Sequence, residues 1–226
     1  MARNRTDADA KRASASLKLR WGETRSVEQQ HQEKRDAVVL AAAHAFNETG
    51  FYATTLDDIA ARLHISKPTL YYYVKSKDDI LLECYRRGFA HMQHAIERTR
   101  EPAWTGLQRM EAFLLAYMEL VTSPFGKCIA KTGLQPLTPQ SRAKIAPITR
   151  QINDAFQEIL RQGFADKSIR QTDPKLTTNA MLGCFNSVVF WYEENGKLDS
   201  AQLAAYFIDL FFVGIQPQRI RTGGDA

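Results

Sequence analysis

One short stretch of this chain, residues 54–77 (TTLDDIAARLHISKPTLYYYVKSK), is crowded with hydroxyls, ammonium groups and phenols. Groups of this kind hold a partner by hydrogen bonds and charge without making covalent bonds. Their natural counterparts are the phosphate oxygens and base edges of a nucleic-acid duplex. The spacing predicts two short helices joined by a tight turn. Thr55-Leu56-Asp57-Asp58 can form a capping box at the start of the first. Leu56, Ile59, Ala60 and Leu63 share one face, and small Ala60 lets a second helix cross closely. His64-Ile65 makes the turn, with Ile65 as the plug between the helices. Ser66 caps the second helix, and Pro68 sits in its first turn, where the missing N–H costs nothing. Leu70 and Val74 face inward, which leaves Lys67, Thr69, Tyr71, Tyr72 and Tyr73 around the rest of the circumference. A solvated helix gains little from three consecutive tyrosines; phosphates and sugars give them partners.

No pattern for bond-making chemistry accompanies this stretch. The chain lacks a Gly-rich phosphate loop, an HExxH pair and a recognisable nucleophile context. His91 and His94 lie three apart on one predicted helix but have no further ligand nearby, so neither a metal nor a cofactor is expected. Cys84, Cys128 and Cys184 are far apart, odd in number and set in apolar helical patterns. They read as reduced core thiols and not as a disulfide framework.

The charge balance is mildly basic, 30 Lys and Arg against 25 Asp and Glu in 226 residues. That is compatible with an acidic polymer as partner and does not establish one. No apolar run approaches the roughly 18 residues of a membrane span, and the N-terminus has no apolar signal core. A soluble, cytoplasmic protein without a membrane partner is expected.

The elements that must position residues 54–77 are helical by pattern. Residues 1–30 read as a disordered basic arm, able to neutralise phosphates or to enter a minor groove. A helix from about Val27 or Gln32 to Glu48 stops at Gly50. Ser76 caps a fourth helix that runs to about Ile96 and links two domains. Further helices are expected over 107–121, ended by Ser123-Pro124-Phe125-Gly126, over a short piece within 128–134, and over 138–162. Pro147 should kink or split the last of these. After a connector at 163–166 come helices over 174–194 and 200–213, the latter capped by Ser200, and a loose tail from 216 to 226. The fold class is therefore all-α: a three-helix head containing a helix-turn-helix (31–76), then a helical effector-binding and dimerisation domain (77–215).

The segment from about Arg35 to Leu82 resembles the DNA-binding domain of the TetR/AcrR family of bacterial regulators. The matching pieces are Ala45-Phe46-x-x-x-Gly50-Phe51, Thr54-Thr55-Leu56-x-x-Ile59-Ala60, Ile65-Ser66-Lys67-Pro68-Thr69-Leu70-Tyr71-Tyr72-Tyr73 and Val74-Lys75-Ser76-Lys77. Two positions depart from the family pattern. His64 stands where glycine is common in the turn, so the backbone must reach a left-handed conformation without glycine's freedom. Val74 stands where phenylalanine is common.

The exposed face and the resemblance together assign DNA contacts to Thr55, Ser66, Lys67, Pro68, Thr69, Tyr71, Tyr72, Lys75 and Lys77. The resemblance also implies a homodimer through the last two helices, double-stranded operator DNA as partner, and an effector pocket in the C-terminal domain. The two final helices carry more apolar surface than one chain can bury, which agrees with such a dimer. Inward-facing candidates for the pocket are Phe89, Met92, Phe113, Tyr117, Cys128, Phe156, Phe185, Asn186 and Trp191. Tyr117 and Asn186 are the polar members, and the set suits a small hydrophobic or amphipathic effector. Repression relieved by that effector is the expected function. The alternative is a helical-bundle enzyme whose site assembles only in three dimensions, which turnover of a metabolite would distinguish.

Overall fold

The computed structural model describes residues 26–214, and among them every regular element is helical. In chain order these are α1 (Val27–Thr49), α2 (Leu56–Arg62), α3 (Lys67–Tyr73), α4 (Lys77–Arg98), α5 (Gly106–Thr122), α6 (Pro124–Thr132), α7 (Pro139–Ala165) and α8 (Pro174–Ser187). A 3-10 turn (Val188–Phe190) and α9 (Ser200–Phe212) complete the set. The basic arm and the C-terminal tail read from the sequence lie largely outside the described residues. Two compact units are distinguished, residues 1–36 and 37–226. Of the first, the described part is Ser26 and the opening turns of α1, where the Ser26 hydroxyl accepts the Gln29 amide.

Local signals fix the helix ends around the turn. Thr55 accepts the Asp58 amide and the Asp58 carboxylate accepts the Thr55 amide, so the capping box is present. Ser66 and Ser76 accept the amides of Thr69 and Asp79 at the starts of α3 and α4. Gly50 ends α1 with φ of 89°, and His64 adopts φ of 55° in the turn between α2 and α3. A histidine there bears the left-handed strain that a glycine would avoid.

Several boundaries differ from the sequence reading, each for a local reason. Ser123 ends α5 and also caps α6, so Pro124 and Phe125 begin a helix instead of terminating one. Pro147 lies inside α7, which runs unsplit through Gly163 and Phe164 to Ala165. α8 ends at Ser187 and tightens into the 3-10 turn, short of Glu194. Asp199, not Ser200, caps α9, with Gln202 closing the box.

The core forms around α5, which packs against α4, α6, α7, α8 and α9. Phe113, Phe156 and Phe185 are fully buried there, and Phe113 meets Phe156 edge-on at 5.4 Å. At one end of the bundle Gly106 of α5 lies directly on the backbone of Gly163 in α7, with no room for a side chain on Gly106. Asp166 and Ser168 accept the amides of Gly106 and Leu107, which satisfies two free donors at the start of α5.

Polar contacts join the segment around α1–α3 to the helices that follow. Asn47 donates its side-chain amide to the Pro124 carbonyl at 2.9 Å, and Lys131 reaches the Asn47 carbonyl at 3.4 Å. Another is made by Asp78, whose carboxylate accepts the Thr138 amide at 2.6 Å and the Ser141 hydroxyl at 2.6 Å.

Candidate nucleic-acid interface and internal cavity

α3 is anchored by Leu70, which has no exposed surface, and by Val74 just beyond its end. Those two residues set the helix's rotation, and the rest follows from it. Tyr71 and Tyr72 are exposed, at 47% and 69%. Tyr73 is half-buried and packs on the core, so two of the three tyrosines are presented outward. Tyr72 meets Tyr73 edge-on at 5.1 Å, which restrains the outward ring. At the start of α3 the Ser66 and Thr69 hydroxyls lie 2.7 Å apart, with Ser66 also serving as cap. The Thr55 hydroxyl donates to Asp58, so its first task in this structure is the cap of α2.

The three lysines differ. The Lys67 ammonium donates to Asp57 at 2.9 Å, both side chains being more than half exposed. That hydrogen bond and then the charge of Asp57 raise the Lys67 pKa. Lys77 lies over the Phe51 ring, 4.4 Å from its centroid, and its ammonium reaches the Tyr52 carbonyl at 3.4 Å. Burial lowers its pKa. The exposed Lys75 donates its backbone amide to Asp79. Thr55, Ser66, Lys67, Pro68, Thr69, Tyr71, Tyr72, Lys75 and Lys77 lie between the cap of α2 and the first residue of α4. Sequence reasoning did not find Asp57 as the partner of Lys67, nor the exposed Tyr52 beside Lys77.

A cavity of about 460 Å³ lies among α4–α8, within the size range of small-molecule sites. Of the nine residues the sequence suggested, Phe89, Tyr117 and Asn186 line it. Met92, Phe113, Cys128, Phe156 and Phe185 are fully buried elsewhere in the core and do not line it, and Trp191 is half exposed. The inward stripe of each helix was legible; which inward residues border empty space depends on the neighbouring helices. Tyr85, Thr149, Ile152 and Asn153 also line the cavity and were not anticipated. The Tyr117 hydroxyl donates to Asn186 Oδ1 at 2.9 Å. Burial pushes the Tyr117 phenol up, partly offset by Asn186, and burial likewise pushes Tyr85 up.

The Cys84 and Cys128 thiols, distant in sequence, are both fully buried. The neighbouring Cys128 thiol, together with burial, pushes the Cys84 thiol well above its ordinary range. His91 faces Glu119 at 3.1 Å. Among the described residues no group of three or more His, Cys, Asp or Glu side chains could hold a metal ion, and no helix is long and apolar enough to cross a membrane.

Two family descriptions match the chain: "Bacterial regulatory proteins, tetR family" over residues 38–84, and "Tetracyclin repressor-like, C-terminal domain" over residues 103–215. The chain belongs to the TetR family. It is an all-α DNA-binding regulator with the helix-turn-helix in α2–α3. Its sequence is 21% identical to the fatty acid metabolism regulator protein of Bacillus subtilis, over 82% of this chain and 97% of that one. Its fold is similar to that of the TetR-family regulator PfmR from Thermus thermophilus. There the TM-score is 0.72 and the identity 26%, over 80% of this chain and 99% of the other. It is also similar to AibR solved with isovaleryl coenzyme A and operator DNA, with TM-score 0.70 and 23% identity over 79% and 97% of the two chains.

Proposed function

We propose that this TetR-family chain is a homodimeric repressor that occupies a palindromic operator and leaves it when a hydrophobic or amphipathic small molecule fills the cavity. In this reading residues 31–76 read the DNA, and residues 77–215 bind the effector and dimerise through α8 and α9. Lys67, Thr69 and Tyr71 meet base edges, while Thr55, Tyr72 and Lys77 hold phosphates. Ser66, Pro68 and Lys75 complete the contact surface. Two-fold symmetry demands half-sites about 34–36 Å apart, or a multiple of a helical turn.

The observation that carries the reading is the course of α4. Its first residue, Lys77, sits against Phe51 and Tyr52 next to the reading helices. Further along, its residues Tyr85 and Phe89 form the cavity wall. A guest pressing on that wall acts on the helix that carries the reading surface. To weaken operator binding a hundredfold, the guest must prefer the non-binding arrangement by about 2.7 kcal/mol. The dimer is supported by the apolar surface around α8 and α9, where Leu176, Phe190, Trp191 and Tyr206 are all more than half exposed. AibR was solved with isovaleryl coenzyme A and with operator DNA, which supports a small molecule and duplex DNA as the two kinds of partner here.

The experiment is to select an operator from a randomised duplex library and then titrate the complex with acyl and aromatic compounds. Effector affinity is measured with and without operator. Coupling must be reciprocal, so equal effector affinity in both states would rule out release by that ligand.

A further inference from the structure

Resting on the effector site proposed above, we infer that the cavity accepts only an uncharged guest: an apolar body carrying a single carbonyl or hydroxyl oxygen, and not a carboxylate or an ammonium. The lining contains no Asp, Glu, Lys, Arg or His. Its polar groups are neutral hydrogen-bonding side chains, namely Tyr85, Tyr117, Thr149, Asn153, Asn186 and Ser187. Burial keeps both phenols protonated at neutral pH, so neither supplies a negative charge. The remaining wall is aliphatic and aromatic, with Phe89, Leu120, Ile129, Ile152, Leu182 and Phe190 among its members. A charge placed among these residues gives up part of its hydration and finds no opposite charge in return.

The hydrogen-bonding capacity is concentrated on the facing sides of α5, α7 and α8. Asn186 already accepts from Tyr117 through Oδ1, which leaves its amide N–H groups to donate. Thr149 and Ser187 spend their own protons on the carbonyls of Ile145 and Cys184, so their oxygens retain only acceptor capacity. A carbonyl oxygen suits the Asn186 donors, and a hydroxyl suits both sets. A carboxylate could accept from the same Asn186 donors, but it finds no cation in the lining to offset the hydration it gives up.

The test compares matched chains, methyl octanoate through methyl palmitate and the corresponding n-alkanols, against the carboxylates and alkylammonium ions of equal length. Binding to the full-length protein is followed by calorimetry at about pH 7. A carboxylic acid of ordinary pKa must enter protonated, and near pH 7 that form is less than about one part in a hundred. The neutral members should therefore bind, and each carboxylate should bind at least about a hundredfold more weakly than its ester. Asn153→Lys should narrow or reverse that preference, while Asn153→Gln should preserve it. Carboxylates binding as tightly as esters, or no neutral member binding at any length, would overturn the inference. Operator affinity is measured alongside. Esters that bind selectively without moving the operator equilibrium would leave the inference standing and remove the repressor-release reading, so the two fail separately.

Discussion

The Asp78 carboxylate and the Ser141 hydroxyl meet at 2.6 Å, joining the first turn of α4 to the first turn of α7. The same carboxylate accepts the amide of Thr138, the cap residue of α7, so a residue beside the DNA-reading segment holds the start of the helix that lines the cavity at Thr149, Ile152 and Asn153. Ser141 is nearly fully buried, and losing its acceptor leaves a buried hydroxyl without that partner. Asp78→Ala should destabilise the protein by about 1–2 kcal/mol in urea unfolding. It should also reduce the ratio of operator affinities without and with effector. An unchanged ratio would remove Asp78 from the transmission route.

Lys77 is held by an aromatic ring as well as by its own charge. Lys77→Ala should weaken binding to specific and random DNA alike and lower the salt slope by about 1. Lys77→Arg keeps both the charge and the ring contact and should retain most of the affinity. Fluorescence anisotropy across a salt series reads both effects. Loss confined to the specific operator would make Lys77 a base-reading residue.

Lys67 must exchange Asp57 for DNA if it is to meet a base. Asp57→Asn removes that competitor and one negative charge from the surface, so binding to all duplexes should tighten at low salt, at a small cost in stability because Asp57 lies in the first turn of α2. Lys67→Ala should instead alter which bases a selection recovers. Equal weakening on cognate and random sequences would demote Lys67 to a backbone contact.

His44 gives the protein a pH dependence. Burial first, then the charge of Arg62, lower its pKa below the ordinary 6.5. The unfolded chain therefore binds the proton more readily than the folded one, and stability falls as pH drops below the unfolded value. The loss levels off once pH passes below the folded pKa. Melting temperatures measured from pH 7.5 down to pH 5 should decline, and His44→Gln should flatten that decline. An identical slope in the variant would place the titration elsewhere.

Trp191 and Tyr206 test the dimer. Wild-type protein should sediment at twice the 25.6 kDa of the chain. Trp191→Glu together with Tyr206→Glu should shift it towards the single mass and weaken operator binding, because both half-sites are then no longer held by one particle. A persistent dimer in the double variant would move the interface off α8 and α9.

How far the sequence could be read follows from how local each signal is. Thr55 with Asp58, Ser66, Ser76 and Gly50 are complete within four residues, so the capping and stopping chemistry around the reading segment was legible from residue order alone. The left-handed backbone at His64 was suggested only through the resemblance, which has glycine at that turn position. Ser123 misled because a Ser-Pro pair ends one helix and starts the next with the same atoms. Asp78 with Ser141, Cys84 with Cys128, and the cavity wall depend on residues tens of positions apart. Periodicity tells only that Phe89 and Phe113 both face inward, whereas the cavity borders one of them and not the other.

Gly106 on Gly163 turns α7 into a lever. Where the two backbones touch, neither helix can slide closer or rotate without collision, so that end is the fulcrum. Ile152 of the cavity wall lies 11 residues from Gly163 and Ser141 lies 22, or about 16 and 33 Å along the axis. A rod pivoting at Gly163 would move about twice as far at Ser141 as at Ile152 if it did not bend between them. Pro147 lies between those points, where the missing N–H makes the rod most compliant. Coupling between the cavity and Asp78 along α7 would therefore depend on one proline and one pair of glycines, none of which lines the cavity.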